Sequence, residues 1–328
     1  MKTEILNIYN EVDIKRATYL LAKGELVAIP TETVYGLAAD AKNPEAIKNI
    51  FKVKGRPENH PLILHIDSAE KLTDWAYDIP DVAYQLAEHF WPGPLTLLLK
   101  KKPEVSDLIT GGLDTIAIRV PANVMLRDII SRLDSGLVAP SANLHTKLSP
   151  TTAEHVLDHL GGKIAAVLDG DSCSVGIEST IISLIDQTPK VLRKGPITAD
   201  AIQEALGIKV DVLETHGKKV SGNMLKHYQP HTKSLLMTAD EILRYLKNSQ
   251  NEDKKIALMY YSSMRELIVQ PHAVKLSGDI EEYTKAMYQT LYQLDKESCD
   301  EIIIECPPHS SEWGAVWDRL KKACYQEN

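Results

Sequence analysis

Two phenylalanines, four cysteines and no stretch near the ~18 apolar residues of a membrane span are the first things missing from these 328 residues. Cys173, Cys299, Cys306 and Cys324 form no CxxC pair and share no spacing with histidine that suits zinc. A disulfide scaffold and a zinc module are therefore excluded, and inert thiols in a reducing cytosol are expected. The opening MKTEILNIYNEVDIKRA lacks the apolar core of a signal peptide, so the sequence reads as cytoplasmic, with no membrane partner. An excess of positive charge is also absent: the formal net charge is -8, which rules out bulk attraction to nucleic acid and makes local cationic sites count for more. Neither GxGxxG nor a GK[ST]-ended phosphate loop occurs.

What is present is globular. Hydrophobic residues make up 44% and charged residues 25%, and the length suits two domains. Short runs rich in Val, Ile and Leu at 25–30, 61–66, 95–100, 115–120, 136–140, 164–169 and 179–185 predict strands. Helices lie between them. Asn43-Pro44 and Ser149-Pro150 predict capped helix starts, the first running to about Val53 and the second stopping at Gly161-Gly162. The fold class is α/β: an open twisted sheet with helices over 1–207, a linker over 208–233, and a smaller Rossmann-like α/β domain over 234–328.

Several clusters carry candidate chemistry. KNPEAIKNIFKVKGR, 42–56, holds five cations and one acid; Lys48 and Lys52 suit a solvated helix face, whereas the Gly-Arg-Pro turn fixes the direction of Lys54 and Arg56. A fixed cation pair beside a strand end suits phosphate. Thr31 and Thr33 leave the first long strand in PTETVYGLAAD, and Ser141 and Asn143 sit in APSANLHTKLSP; both sets suit turn chemistry or a ligand equally. Cys173 has no base placed beside it. Arg119, ending an apolar strand, is expected to meet a ligand carboxylate or an internal acid, while the lone His65 suits a hydrogen-bonded core position.

As an ordered set, PTETVYGLAADA, KGRPENHPLILHI, WPGPLTLLL, IAIRVP, APSANLHTKLSP, GIESTIISL and LRKGPIT resemble the threonylcarbamoyl-adenylate synthase family, the YrdC-like enzymes, in their long two-domain form. SGNMLKHYQP is similar to that family's linker motif, with Gly222-Asn223 in place of Pro-Gly and Gln229 in place of Ala. The resemblance implies synthesis of threonylcarbamoyl-AMP from ATP, L-threonine and bicarbonate, with magnesium accompanying ATP and no prosthetic group or resident metal. The product would pass to a tRNA threonylcarbamoyl transferase, and direct tRNA contact is not required. Carried over by motif, Lys54 and Arg56 are catalytic and ATP-binding. Ser141, Asn143, Ser149, Arg193 and Thr115 are ATP-side positions, His60 stands where the family often has Asn, and linker Tyr228 closes over the nucleotide. Thr33, His65, Arg119, the backbone at Ala139, and Ser179 are threonine-side positions. A double-stranded RNA or tRNA module without catalysis is the alternative, and it would need phosphate contacts spread over ~16 base pairs. A carbamoyl-transferring domain of a hydrogenase maturation protein would bring zinc-finger and acylphosphatase-like segments, and neither is found.

Overall fold

Alternation along the strands decides how the first sheet is covered. In the computed structural model, residues 2–213, 220, 222, 224, 226–249, 254–263 and 272–326 are described. Parts of the sequence-read linker, 214–219, 221, 223 and 225, lie outside them. The first strands are β1 (Glu4–Asn7), β2 (Val27–Ile29), β3 (Gly36–Asp40), β4 (Ile63–His65), β5 (Leu95–Lys100) and β6 (Thr115–Arg119). They are followed by β7 (Leu137–Val138), β8 (Ala166–Asp169), β9 (Thr180–Ser183), β10 (Lys190–Arg193) and β11 (Asp211–Val212). Among the described residues they form one sheet of mixed direction, in the order β1-β8-β2-β3-β7-β4-β6-β5-β9-β10-β11.

Leu64, Leu97, Leu99, Ile116, Ile118 and Ile182 face one side and pack with Ile47, Ile50 and Phe51 of the helix Pro44–Lys54. Their neighbours in sequence, Ile63, Leu98, Ala117 and Ile181, face the other side and form a thinner layer with Leu192 and Val220, with Leu213 packed against it. The same period of two puts His65 and Arg119 on this thinner side, because they alternate with Leu64 and Ile118. A third layer, from the helices Glu11–Ala22 and Val124–Leu133, covers the end of the sheet near β1 and β8.

The helix Pro44–Lys54 begins as predicted. The Asn43 side chain accepts from the Glu45 and Ala46 N–H groups at 3.1 and 3.2 Å, and Pro44 takes the first turn. It ends on Gly55 at φ 62, where a residue with a side chain would be strained. The second predicted cap shifts: Thr152, not Ser149, accepts from the His155 N–H at 3.2 Å and opens the helix Ala153–Leu160. Thr152 is extended with a hydroxyl aimed at the turn, while Ser149-Pro150 belongs to the approach. The strand β3 was not predicted, since Gly36–Asp40 is apolar on both faces and carries no period-two signal.

By compactness the chain divides into two units, one holding 1–145 and 150–223, the other 146–149 and 224–328. The second unit carries β12 (Lys233–Met237), β13 (Ile256–Tyr260), β14 (Ala273–Lys275) and β15 (Glu301–Glu305). They pair in parallel in the order β12-β15-β13-β14, the Rossmann-like pattern expected from alternating strands and helices. The Glu305 carboxylate accepts from the Tyr261 and Ser262 N–H groups at 2.8 and 3.0 Å, so an internal acid holds the amides at the end of β13. No helix of the described residues is long and apolar enough to cross a membrane.

Candidate active site

Helical spacing selects the first cation of the site. Ile47, Ile50, Phe51 and Lys54 fall on one face of their helix, and all four are buried. Lys48 is on the outer face, where it pairs with Glu45 at 2.8 Å in solvent. The Lys54 ammonium therefore enters the protein, donating to the Ser141 and Asn143 carbonyl oxygens at 2.5 Å each. Two of its three N–H groups are used in this way. Burial, and then the charge of Arg56, holds the Lys54 pKa well below the ordinary lysine value. Arg56 follows the left-handed Gly55 and donates to the Pro61 carbonyl at 3.1 Å. Asn143 is 1% exposed, with its amide donating to the Leu144 carbonyl at 2.8 Å. His60 and His145 meet edge to face beside these cations, ring centroids 5.5 Å apart. Thr115 borders a small apolar cleft with Pro61, Leu98, Ala117 and Val220, so it belongs to the same end of the sheet as the turn after Arg56.

Register selects the second group. His65 of β4 pairs with Arg119 of β6 and with Leu137 of β7. Arg119, 3% exposed, donates from Nε to the Gly93 carbonyl at 3.0 Å and from Nη1 to the Thr33 hydroxyl at 2.9 Å. Its Nη2 lies 2.6 Å from the Glu32 carboxylate without the alignment of a hydrogen bond, so that contact is ionic. Glu32 is itself fixed by the Ala122 N–H at 3.1 Å. The internal acid expected for Arg119 is thus present. His65 is buried with Nδ1 lacking a hydrogen-bond partner, and burial followed by the Arg119 charge brings its pKa down to about 3. It is a neutral imidazole at pH 7.

Ser179 shares a hydrogen bond with Thr96 at 2.7 Å and is gripped by Arg193, whose Nη2 and Nε donate to its hydroxyl and carbonyl at 2.9 Å each. Ala139 gives its N–H to the Ile63 carbonyl at 3.1 Å, so a contact from its backbone to a ligand falls to the carbonyl. The strand β7 and its exit loop connect the two groups: Leu137 neighbours His65, and Ser141 and Asn143 hold Lys54.

Twelve of the residues named from sequence lie in the first unit; Ser149 and Tyr228 belong to the second. There Ser149 is fully buried, and Tyr228, at φ 60, packs against His227, Tyr288 and the Arg319 guanidinium. Sequence reasoning missed Glu32, Thr96 and His145. Thr96 left a trace as the lone hydroxyl in LTLLLK, and Glu32 as an acid between two buried threonines; His145 left none. Cys173 is buried, and burial followed by the Glu32 charge pushes its thiol up, away from nucleophilic thiolate. Among the described residues no group of three or more His, Cys, Asp or Glu is placed to hold a metal ion.

The sequence and the fold that hold these groups match known proteins over nearly the whole chain. Residues 19–195 match the Sua5/YciO/YrdC family described as "Telomere recombination". Residues 197–324 match the family described as "Threonylcarbamoyl-AMP synthase, C-terminal domain". The chain belongs to the threonylcarbamoyl-AMP synthase family. It is 36% identical to the Pyrococcus abyssi threonylcarbamoyl-AMP synthase over 98% of this chain and 97% of that protein. Identity to the Bacillus subtilis threonylcarbamoyl-AMP synthase is 37%, over 96% and 93% of the two chains. The structure is similar to that of Pyrococcus abyssi Sua5 complexed with L-threonine, with a TM-score of 0.90, 36% identity, and 98% of each chain covered. As a family member the chain has the two-domain α/β fold expected from its sequence.

Proposed function

We propose that this protein is a threonylcarbamoyl-AMP synthase, converting L-threonine, bicarbonate and ATP to threonylcarbamoyl-AMP, pyrophosphate and water. The observation that supports the reading is the buried Arg119, fixed by Gly93, Thr33 and Glu32 beside the neutral His65, which neighbours Leu137 of β7, the strand whose exit loop holds Lys54. Arg119 holds the threonine carboxylate, Thr33 and Ser179 orient the substrate, and His65 accepts a hydrogen bond from it.

The threonine amine, having lost its proton, attacks the carbon of bicarbonate, whose hydroxyl leaves as water with a proton from nitrogen, or of dissolved carbon dioxide, when that proton passes to solvent, to form a carbamate. A carbamate oxygen then bonds to the α-phosphorus of ATP as the bond to pyrophosphate breaks. Because a carbamate decomposes in water, holding it close and dry is the principal demand on the protein. Lys54 and Arg56 stabilise charge building on the α-phosphate and on the leaving pyrophosphate. Thr115, Ser141, Asn143, Arg193 and His60 are the ATP-side residues of the first unit in this reading, and Arg193 also holds Ser179 in place. Magnesium accompanying ATP would supply further charge neutralisation. The product would be consumed by a tRNA threonylcarbamoyl transferase, in a reducing, cytoplasmic setting that suits the free thiols of this chain.

Pyrophosphate release in magnesium buffer with ATP and bicarbonate, measured with and without L-threonine, tests the reading. Threonine-dependent release is expected, and its absence overturns the proposal. Arg56→Ala should lose most of that release while its melting temperature stays near that of the parent protein.

A further inference from the structure

Two histidine rings flank the Lys54 and Arg56 pair, and the chemistry above gives His145 no part. His60 sits in the turn after the helix Pro44–Lys54, its N–H donating to the Pro57 carbonyl at 3.2 Å. His145 sits in the loop after Asn143, its N–H donating to the Lys54 carbonyl at 2.8 Å. These two backbone anchors set the rings edge to face, 5.5 Å between centroids, and both residues are half-buried. Among the described residues, the charged and titratable groups that bear on His145 include Arg56 and His60 from the turn and Lys54 from the helix. Burial, and then those positive charges, holds the His145 pKa down to about 4, so its ring is neutral at pH 7.

We propose that His60 and His145 form a proton-accepting arm of the polyphosphate site, which becomes cationic when a di- or triphosphate settles against Lys54 and Arg56. The identity of the anion rests on the function proposed above; the proton uptake rests on the four-residue cluster itself. The sign follows from the charges. In the free protein, Lys54 and Arg56 oppose protonation of the ring beside them. Bound phosphate cancels that opposition and supplies an acceptor, so the complex holds a proton that the free protein lacks. Linkage then makes binding tighten as pH falls through the bound-state pKa and weaken as pH rises above it, by at most tenfold per pH unit for one proton.

Inorganic pyrophosphate is the probe, titrated into the full-length protein by calorimetry at pH 6 in two buffers of different ionisation enthalpy. Wild type is compared with His145→Asn, His60→Asn and the double variant, and the difference removes proton exchange by pyrophosphate itself. Wild type should take up roughly half a proton or more beyond the double variant. Its affinity should fall about two- to tenfold more between pH 6 and pH 8. Equal uptake and equal pH dependence in wild type and double variant would overturn the proposal. If a variant fails to fold, NMR titration of the wild-type histidines decides: the His145 pKa should rise by about two units or more on adding pyrophosphate, and an unmoved value refutes the arm. Proton-linked binding without threonine-dependent pyrophosphate release would sink the proposed function and leave this inference standing; the reverse result would sink only the inference.

Discussion

Arg119 gives one N–H to a carbonyl, one to a hydroxyl, and its charge to Glu32, so its position is fixed before any substrate arrives. A lysine there keeps the charge and loses the planar fork. Arg119→Lys is accordingly expected to raise the KM for threonine about tenfold or more, from loss of a charged hydrogen bond of about 1.5 kcal/mol or more. The KM for ATP should move by no more than about twofold; equal shifts in both constants would refute the assignment. His65 makes a different prediction, on pH. Its folded-state pKa of about 3 lies below the ordinary histidine value, so the unfolded chain binds more protons between those two values. Stability is present above about pH 6.5 and is lost as pH falls, by roughly 2 kcal/mol between pH 7 and pH 5 from this group. Chemical denaturation at the two pH values should show His65→Asn with a smaller loss than wild type.

The helix Pro44–Lys54 and its cap act together as one positioning device. Its start is fixed by Asn43, its buried face by Ile47, Ile50 and Phe51, and its end by Gly55, and so Lys54 points inward while Arg56 leaves in a set direction. A Cβ at Gly55 would meet no atom within 4 Å, so Gly55→Ala tests backbone conformation alone. It should cost about 1 to 2 kcal/mol of stability from the left-handed geometry, read as a lowered melting temperature. It should also raise the KM for ATP more than that for threonine, because only the cation group hangs on that turn. The strands work by register instead. Pairing β4 with β6 places His65 beside Arg119, and a slip of one residue would send both to the helix-covered face.

The whole molecule carries a formal net charge of -8, whereas the candidate site holds buried cations. Lys54, Arg56, Arg119 and Arg193 are all under a tenth exposed, which suits a small anionic ligand and not a duplex lying along a surface. Weak, salt-sensitive tRNA binding is therefore expected: a filter-retention titration should show a complex at about 50 mM salt that is largely lost by about 200 mM. A submicromolar complex at the higher salt would refute this and point to a dedicated RNA surface.

Local signals carried the expected element boundaries where one face of a segment is plainly apolar or a cap is spelled out. β5 falls within the predicted 95–100, Asn43 caps its helix, and the second sheet alternates with helices as the pattern required. β3 and the Thr152 cap were not legible, because a doubly buried strand has no period and two adjacent capping signals compete. The same division runs through the site. Lys54 and Arg56 were visible as cations directed by a Gly-Arg-Pro turn and Arg119 as a cation ending an apolar strand, and motif resemblance supplied the rest of the expected set. Glu32, Thr96 and His145 depend on which residues lie across a strand or a loop, a fact that no local stretch contains. The amino-acid sequence by itself determined which residues would be buried, through periodicity and caps. Only the tertiary structure decided which polar groups meet, because an ion pair, a shared hydroxyl or two imidazoles set edge to face exist only when distant segments are brought within a few ångströms.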